Sequence, residues 1–400
     1  MTRGSFWRVR PWEHHWGTEV GPLDRWLLLA VLLLALWGLL IVYSSSSAMG
    51  VVSHGGNDLF YLESQLAKAL FGVGLMFALS RLGVPALTGR IAWGVWGTAL
   101  LVLLVMLLPW GPGVEVRGAR RWLAVGGSMV QPAEFARVAM VIALAAWLAH
   151  HRTRLDRWKG LLPAYALVLV TAGLIAMQPH LSLALLTAGS GVLLIYLAGA
   201  PLGKLALLTV PSAAVLLLLK RGYQVGRLSG FLAGIDGDPG YQVRQSMLSI
   251  GSGGLTGLGL GQGMQKHFFL PDPHTDFILS IIGEELGFVG LVALFLLAGW
   301  IAWRIFAIGR RASLAVGEFL AYGVGLQFLL AFLLHAAVCL GWAPTTGVPF
   351  PLVSFGGSAL IAHLIGIGLV LAVSRRALRA RHGPEDALLM QEPHWGRGVS

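Results

Sequence analysis

The stretch that decides how this chain is read is residues 251–287, GSGGLTGLGLGQGMQKHFFLPDPHTDFILSIIGEELG. It is polar and glycine-rich, and it joins one hydrophobic span to the next. Asp276 falls just where the second of those spans begins. An ionisable side chain at the edge of a membrane core is costly to keep, so it marks a candidate functional site.

The rest of the chain supplies the membrane. Hydrophobic residues make up 56% of it and charged residues only 12%, with a mean hydropathy of +0.74. A soluble chain of this length would carry far more surface charge. Apolar runs approach the length at which a helix crosses the hydrocarbon core. They place ten spans at about 25–43, 65–82, 91–109, 134–150, 161–177, 181–199, 203–220, 277–303, 317–341 and 357–374. The fold class expected is an all-α polytopic membrane protein with ten transmembrane helices. Residues 25–374 form one membrane domain, between tails at 1–24 and 375–400. The first run is read as a retained span rather than a signal peptide. The single cysteine, Cys339, excludes a disulfide framework.

Basic residues set the orientation. With the N-terminus cytoplasmic, the inner loops hold Arg81, Arg90, Arg152, Arg154, Arg157, Lys159, Lys204, Arg304, Arg310 and Arg311, and the C-terminal tail adds Arg375, Arg376, Arg379 and Arg381. This obeys the positive-inside rule with both termini cytoplasmic. The net charge of +11 is therefore mostly topological and faces anionic lipid, not nucleic acid. Two loops are left on the extracytoplasmic side. Residues 110–133 contain Arg117, Arg120 and Arg121, and residues 221–276 form a large loop between the seventh and eighth spans. Recurrent apolar residues in the larger loop predict a helical part lying along the membrane surface. Positive charge held outside against the inside rule suggests an anionic partner.

Several residues could carry chemistry. Asp276, preceded by His274 and Thr275, is either a helix N-cap or a carboxylate facing a cavity, and the two are compatible. Glu284, eight residues on, would share its helix face, whereas Glu285 reads better as an interhelical packing contact. Pro132 and Glu134 suit the first turn of the fourth span. Arg137, one turn deeper, needs an anionic partner, for which Glu134 and Asp276 are the candidates. Arg120 and Arg121, beside Trp122, are an interfacial anchor or a phosphate clamp. The turn 346–358, TGVPFPLVSFGGS, with Ser354, Gly356 and Gly357, is a rigid re-entrant turn or a ligand contact.

Taken together, these blocks resemble the SEDS family (FtsW/RodA/SpoVE) of polytopic cell-wall glycosyltransferases. The resemblance rests on GARRW at 118–122, QPAEFAR at 131–137, GYQVRQSMLSIGSGGLTGLGLG at 240–261, LPDPHTDFILSIIGEELG at 270–287 and TGVPFPLVSFGGSAL at 346–360. The segments 259–266 and 282–285 look FtsW-like and the turn 346–349 more like RodA, with the balance towards FtsW. The resemblance implies polymerisation of lipid II on the outer face of the cytoplasmic membrane, during septal or lateral wall synthesis. It also implies a class B penicillin-binding protein as partner, among other divisome or elongasome membrane proteins. It puts the essential acid on Asp276. Where the family usually has lysine in the fourth helix this chain has Arg137, which keeps the charge but cannot share a proton. Where the family reads Pro-Asp-x-Gly-Thr after the fifth span, this chain has Gln178-Pro179-His180-Leu181-Ser182-Leu183, so the role of the missing acid is dispensable, replaced or made pH-dependent through His180. The family's tyrosine in the last motif is Phe355.

The mechanism expected from these readings has Asp276 as general base for the C4 hydroxyl of the acceptor. Arg137 would keep it ionised. Arg120, Arg121, Arg244 or Lys266 would neutralise the undecaprenyl diphosphate that leaves. A divalent cation (Mg or Mn) could share that task, although no ligand cluster requires one. Two rivals remain. A lipid II flippase is disfavoured by the lack of paired repeats and twin broken helices. A non-catalytic divisome scaffold leaves Asp276 and Arg137 unexplained.

Overall fold

A computed structural model describes residues 23–87, 89–108, 110–116, 119–218, 238–267 and 269–380. Both expected tails, apart from a few residues next to the bundle, and the segment 219–237 of the large loop lie outside the described residues, as do Arg117 and Gly118.

The chain forms helices α1 (Arg25–Ser53), α2 (Phe60–Leu79), α3 (Gly89–Leu107), α4 (Pro132–His151), α5 (Trp158–Met177), α6 (Leu181–Leu197), α7 (Leu202–Leu218), α8 (Asp238–Ser252), α9 (Ile278–Arg310), α10 (Ala315–Cys339) and α11 (Gly357–Ala380). Among the described residues eight are long and apolar enough to cross a membrane, and two shorter apolar helices stand at 181–197 and 202–215, where the sixth and seventh spans are expected. The protein is a multi-pass membrane protein. Helices α4 and α11 are the inner ones, each 83% buried over its apolar window, while α3 is 17% buried and faces outward.

Polar contacts fix the ends of the bundle. Asp24 caps α1 by accepting from Leu27 N at 2.9 Å and pairs with Arg304 of α9. Its own amide donates to Ser374 Oγ of α11 at 3.3 Å, so the first and last helices meet at one end. At the other end the expectation of an all-helical chain fails. Residues Gly113–Val116, Ala119–Val125 and Ser128–Val130 form β1, β2 and β3 of an antiparallel sheet in that order. Gly126 and Gly127, at φ 55° and 77°, make the two-residue turn between β2 and β3. Adjacent positive φ values are what such a hairpin turn requires.

The eighth span, expected to be continuous, is broken. Gly287 of α9 has φ 64° and ψ −162°, outside the helical region. The break deprives four backbone groups of their helical partners, and the glycine-rich segment restores them. Leu258 N and Gly259 N each donate at 3.0 Å to the carbonyls of Glu284 and Glu285, while Phe288 N and Val289 N donate to Gly254 O and Leu255 O at 2.9 and 3.0 Å. Buried backbone polar groups must find partners, and here a second strand of backbone supplies them. A Cβ on Gly257 would collide with the Glu285 carbonyl, which is why the clasp is glycine-rich. Helix α8 packs on α9 and α10 through Ser246 and Ser249, whose hydroxyls reach Cys339 O at 2.7 Å and Ser280 O at 2.9 Å. Its outer face carries Tyr241, Met247 and Leu248.

Candidate active site

The residues before α9 wrap into a single turn. Thr275 N and Asp276 N both donate to Asp272 O at 3.2 Å. Helix α9 then starts at Ile278, with Phe277 at the N-cap position and no side-chain cap. Asp276 thus stands one residue before the N-cap position. The turn before α11 clamps this segment. Ser354 Oγ donates to Thr275 O at 2.7 Å and accepts from Phe350 N at 2.9 Å, and Phe355 N donates to His274 O at 2.8 Å. Gln65 of α2 holds the turn in place by donating to Ser354 O at 3.1 Å. Gly347 stands beside the acid, where a Cβ would make an ordinary 3.7 Å contact with Asp276 Oδ2, and it is φ 65° that favours glycine there. Of the two readings of the re-entrant turn, these bonds give the rigid clamp a physical basis, and the cavity gives it a ligand-facing side.

Asp276 and Thr275 line a cavity of ≈ 940 Å³. Its polar part is shared by Asp272, Arg121, His180 and the backbone of Gly347 and Gly356. Its apolar part runs between Leu185, Leu186 and Leu193 of α6 and Leu330 and Leu334 of α10. One cavity therefore joins an ionic mouth to a greasy floor. Asp272, missed by sequence reasoning, was signalled by the pair of acids in PDPHTD.

The two neighbouring arginines do not act as one clamp. Successive side chains of a strand point to opposite faces, and β2 carries both. Arg120 faces out, 3.7 Å from Glu115, with both side chains well exposed; such a pair contributes little to stability. Arg121 faces in, donating through Nη2 to Pro179 O at 2.6 Å, and lines the cavity.

Arg137 has an enclosed setting. It is 1% exposed. Its Nε lies 2.9 Å from Glu134 Oε2, an ion pair bent out of hydrogen-bond geometry, so neither atom counts a hydrogen-bond partner. Its Nη2 lies 2.9 Å from His363 Nε2 of α11. A guanidinium only donates, so that nitrogen of His363 accepts. Gln327 of α10 donates to Arg137 O at 2.8 Å. Of the two expected carboxylates, Glu134 is the one beside Arg137, and Arg137 does not line the cavity. His363 carried no local sequence signal.

Other expected residues serve the clasp. Glu284 accepts from Met264 N at 2.7 Å and from Ser249 Oγ at 3.3 Å. Glu284 does not share the cavity lining with Asp276, which precedes the first residue of α9. Glu285 packs as expected, accepting from Ser44 Oγ of α1 at 2.7 Å. Lys266 Nζ reaches Glu285 Oε1 at 2.8 Å, the two side chains being 4% and 0% exposed. Arg244 is exposed on α8. Gly357 opens α11 where a Cβ would strike the Lys68 side chain. Lys266, Arg244 and Gly357 stand outside the cavity lining.

His274 is 5% exposed, between the rings of Tyr61 and Phe355 at centroid distances of 4.8 and 5.5 Å. Burial pushes its pKa down to about 4, with Asp272 opposing more weakly, so it is neutral at pH 7.

Asp272 and Asp276 could offer oxygens to a divalent cation. Among the described residues, no group of three or more His, Cys, Asp or Glu side chains is arranged to hold one.

Fold and cavity define a class: a polytopic membrane protein with an ionic site set into one end of its helical bundle and an apolar chamber beneath. The chain belongs to the FtsW/RodA/SpoVE family of cell cycle proteins, whose model it matches over residues 24–378. It is 36% identical over 376 residues to a probable peptidoglycan glycosyltransferase FtsW of Thioalkalivibrio sulfidiphilus, covering 90% of this chain and 91% of that one. It is 34% identical over 362 residues to the stage V sporulation protein E of Bacillus subtilis, covering 88% and 97%. Among solved structures it is similar to a chain from a peptidoglycan synthase complex that coordinates polymerization and crosslinking, at TM-score 0.72 and 30% identity over 89% of this chain and 98% of that one. It is also similar to the rod shape determining protein RodA of Thermus thermophilus, at TM-score 0.67 and 30% identity over 88% and 97%.

Proposed function

We propose that this protein is a peptidoglycan glycosyltransferase that polymerises lipid II on the outer face of the cytoplasmic membrane, with Asp276 as general base. The observation that carries the proposal is the shared cavity. A carboxylate, a guanidinium and a long apolar chamber line one space, and a prenyl diphosphate sugar needs all three.

In the reaction, the C4 hydroxyl of the acceptor attacks the anomeric carbon of the donor. The C1–O bond to diphosphate breaks, and its electron pair leaves with the diphosphate. The hydroxyl proton passes to Asp276, and attack from the far side inverts the α-linkage to β-1,4. Arg121 offsets the charge that builds on the leaving diphosphate, and the leucines of α6 and α10 receive the prenyl chain. Arg137 acts through packing and field, holding Glu134 and the α4–α11 contact, without touching the reacting atoms. A class B penicillin-binding protein is the partner that fits, since the similar chain at TM-score 0.72 comes from a complex of polymerization and crosslinking. Septal wall synthesis is the favoured setting, given the FtsW relatives.

The test is polymerisation of lipid II by the full chain in lipid nanodiscs, with and without a candidate transpeptidase. Asp276→Asn is near-isosteric and should abolish glycan product while the protein stays folded. Product at the wild-type rate from that variant would sink the assignment. Transport of lipid II without any polymer from the wild-type chain would favour the flippase reading, for which the break in α9 at Gly287 is the relevant observation.

A further inference from the structure

Four ionisable side chains line the cavity, and they come from two places in the fold. Asp272 and Asp276 belong to the turn that leads into α9, and Arg121 and His180 belong to β2 and to the α5–α6 turn. The two basic residues are tied together, because Arg121 Nη2 donates at 2.6 Å to Pro179 O, the carbonyl just before His180. His180 is 7% exposed and its carbonyl anchors the first turn of α6 through Ala184 N at 3.0 Å. Gln178 fixes the other side of the turn by donating to Leu103 O of α3 at 3.1 Å. The imidazole is therefore held by a braced backbone, beside the apolar chamber whose walls on α6 and α10 add no ionisable group to the lining.

We propose that His180 and Arg121 together form the diphosphate subsite of the cavity, so that the donor lies with its leaving group on the α5–α6 turn and the acceptor hydroxyl on the Asp272–Asp276 turn. This rests on the glycosyltransferase reading and deepens it by assigning a direction to the substrates. Three physical points support it. A dianionic group is repelled by two carboxylates and drawn to a guanidinium and an imidazolium. The leucines of the chamber on α6 follow directly from the 178–182 turn, so a prenyl tail seated there brings its diphosphate to that turn. The bond-breaking step moves an electron pair onto the diphosphate, and an imidazolium N–H aimed at that oxygen gains strength as the charge grows. His180 takes no part in covalent change; the acceptor proton still goes to Asp276. A bound diphosphate favours the charged imidazolium over the neutral ring, so the subsite is stronger as pH falls. The charged groups around it in the cavity are Arg121, Asp272 and Asp276.

Binding, measured apart from turnover, tests this. Farnesyl diphosphate is titrated into the full chain in nanodiscs between pH 5.5 and 8, for wild type, His180→Asn, Arg121→Gln and Asp276→Asn. His180→Asn keeps a neutral donor and reports the pH dependence of the ligand itself. The wild-type affinity should exceed that of His180→Asn by roughly tenfold at pH 5.5, as for a hydrogen bond to a charged group, and the ratio should fall towards one at pH 8. Arg121→Gln should weaken binding by roughly tenfold throughout, and Asp276→Asn should not weaken it at any pH. A wild-type to His180→Asn ratio that stays constant with pH, or equal affinities at pH 5.5, would overturn the proposal. Thermal unfolding checks that each variant is folded, and His180→Gln is a second replacement should the asparagine destabilise the turn. If the wild-type chain makes no polymer yet shows this binding pattern, the catalytic reading fails and the subsite stands.

Discussion

The hydroxyl of Ser354 donates at 2.7 Å to the carbonyl of Thr275, the residue before Asp276. A side chain from the turn that precedes the last helix thus sets the backbone on which the candidate base is carried. The same oxygen accepts from Phe350 N, so it closes its own turn and grips its neighbour at once.

Ser354→Ala should therefore loosen Asp276 without touching it. Loss of both bonds costs roughly 1–3 kcal/mol of stability, and we expect kcat for polymerisation to fall at least tenfold with little change in substrate KM. Activity at the wild-type level would mean that the turn does not position the acid.

Arg137 is predicted to be structural in the first instance. Arg137→Met strands Glu134, 2% exposed, and removing one member of a buried pair costs about 3–5 kcal/mol. The double variant Glu134→Gln with Arg137→Met should recover much of that loss in a thermal melt. Arg137→Lys keeps the charge but has one nitrogen where the guanidinium uses two, Nε beside Glu134 and Nη2 beside His363, so it should fall between wild type and Arg137→Met.

Lys266 gives a contrasting test. If its role is the buried pair with Glu285, Lys266→Met should lower the melting temperature and speed proteolysis of the glycine-rich clasp, while farnesyl diphosphate affinity of the folded fraction stays unchanged. A loss of affinity at unchanged stability would return Lys266 to the substrate site.

His274 predicts a pH dependence of stability. Its pKa is lowered to about 4 in the fold from 6.5. Between those values the unfolded chain binds the proton that the folded one refuses. The contribution is thus fully present above pH 6.5 and is lost as pH falls towards 4, with a total of order 3 kcal/mol. Unfolding midpoints measured from pH 7.5 to 4.5 should drop for the wild type and drop less for His274→Phe. Identical profiles would refute the burial argument.

Gly257 carries a double backbone demand in the clasp, with φ 82° and the Glu285 carbonyl where a Cβ would stand. Gly257→Ala should destabilise by roughly 1–3 kcal/mol or more, seen as cleavage between α8 and α9 under limited proteolysis. A variant as resistant as the wild type would mean that the splice at Gly287 tolerates strain.

Much of this protein is written locally. Hydropathy sums along a segment, so the apolar runs found the helices, and the Gly-x-Gly pattern of 253–263 could have announced close backbone approach, although its target, the break at Gly287, was not evident. Alternation in 119–125 and the Gly126-Gly127 turn could have announced the sheet, and with it the opposite faces of Arg120 and Arg121. What local pattern cannot carry is a choice among distant partners. Whether Arg137 meets Glu134 or Asp276, whether Lys266 faces a ligand or Glu285, and which residues share a cavity with Asp276 are settled by helices that come together only in the fold. Sequence fixes which charges must be satisfied, because burial energy belongs to each residue alone; tertiary structure decides by whom, because a hydrogen bond reaches about 3 Å and only packing brings α4, α9 and α11 that close.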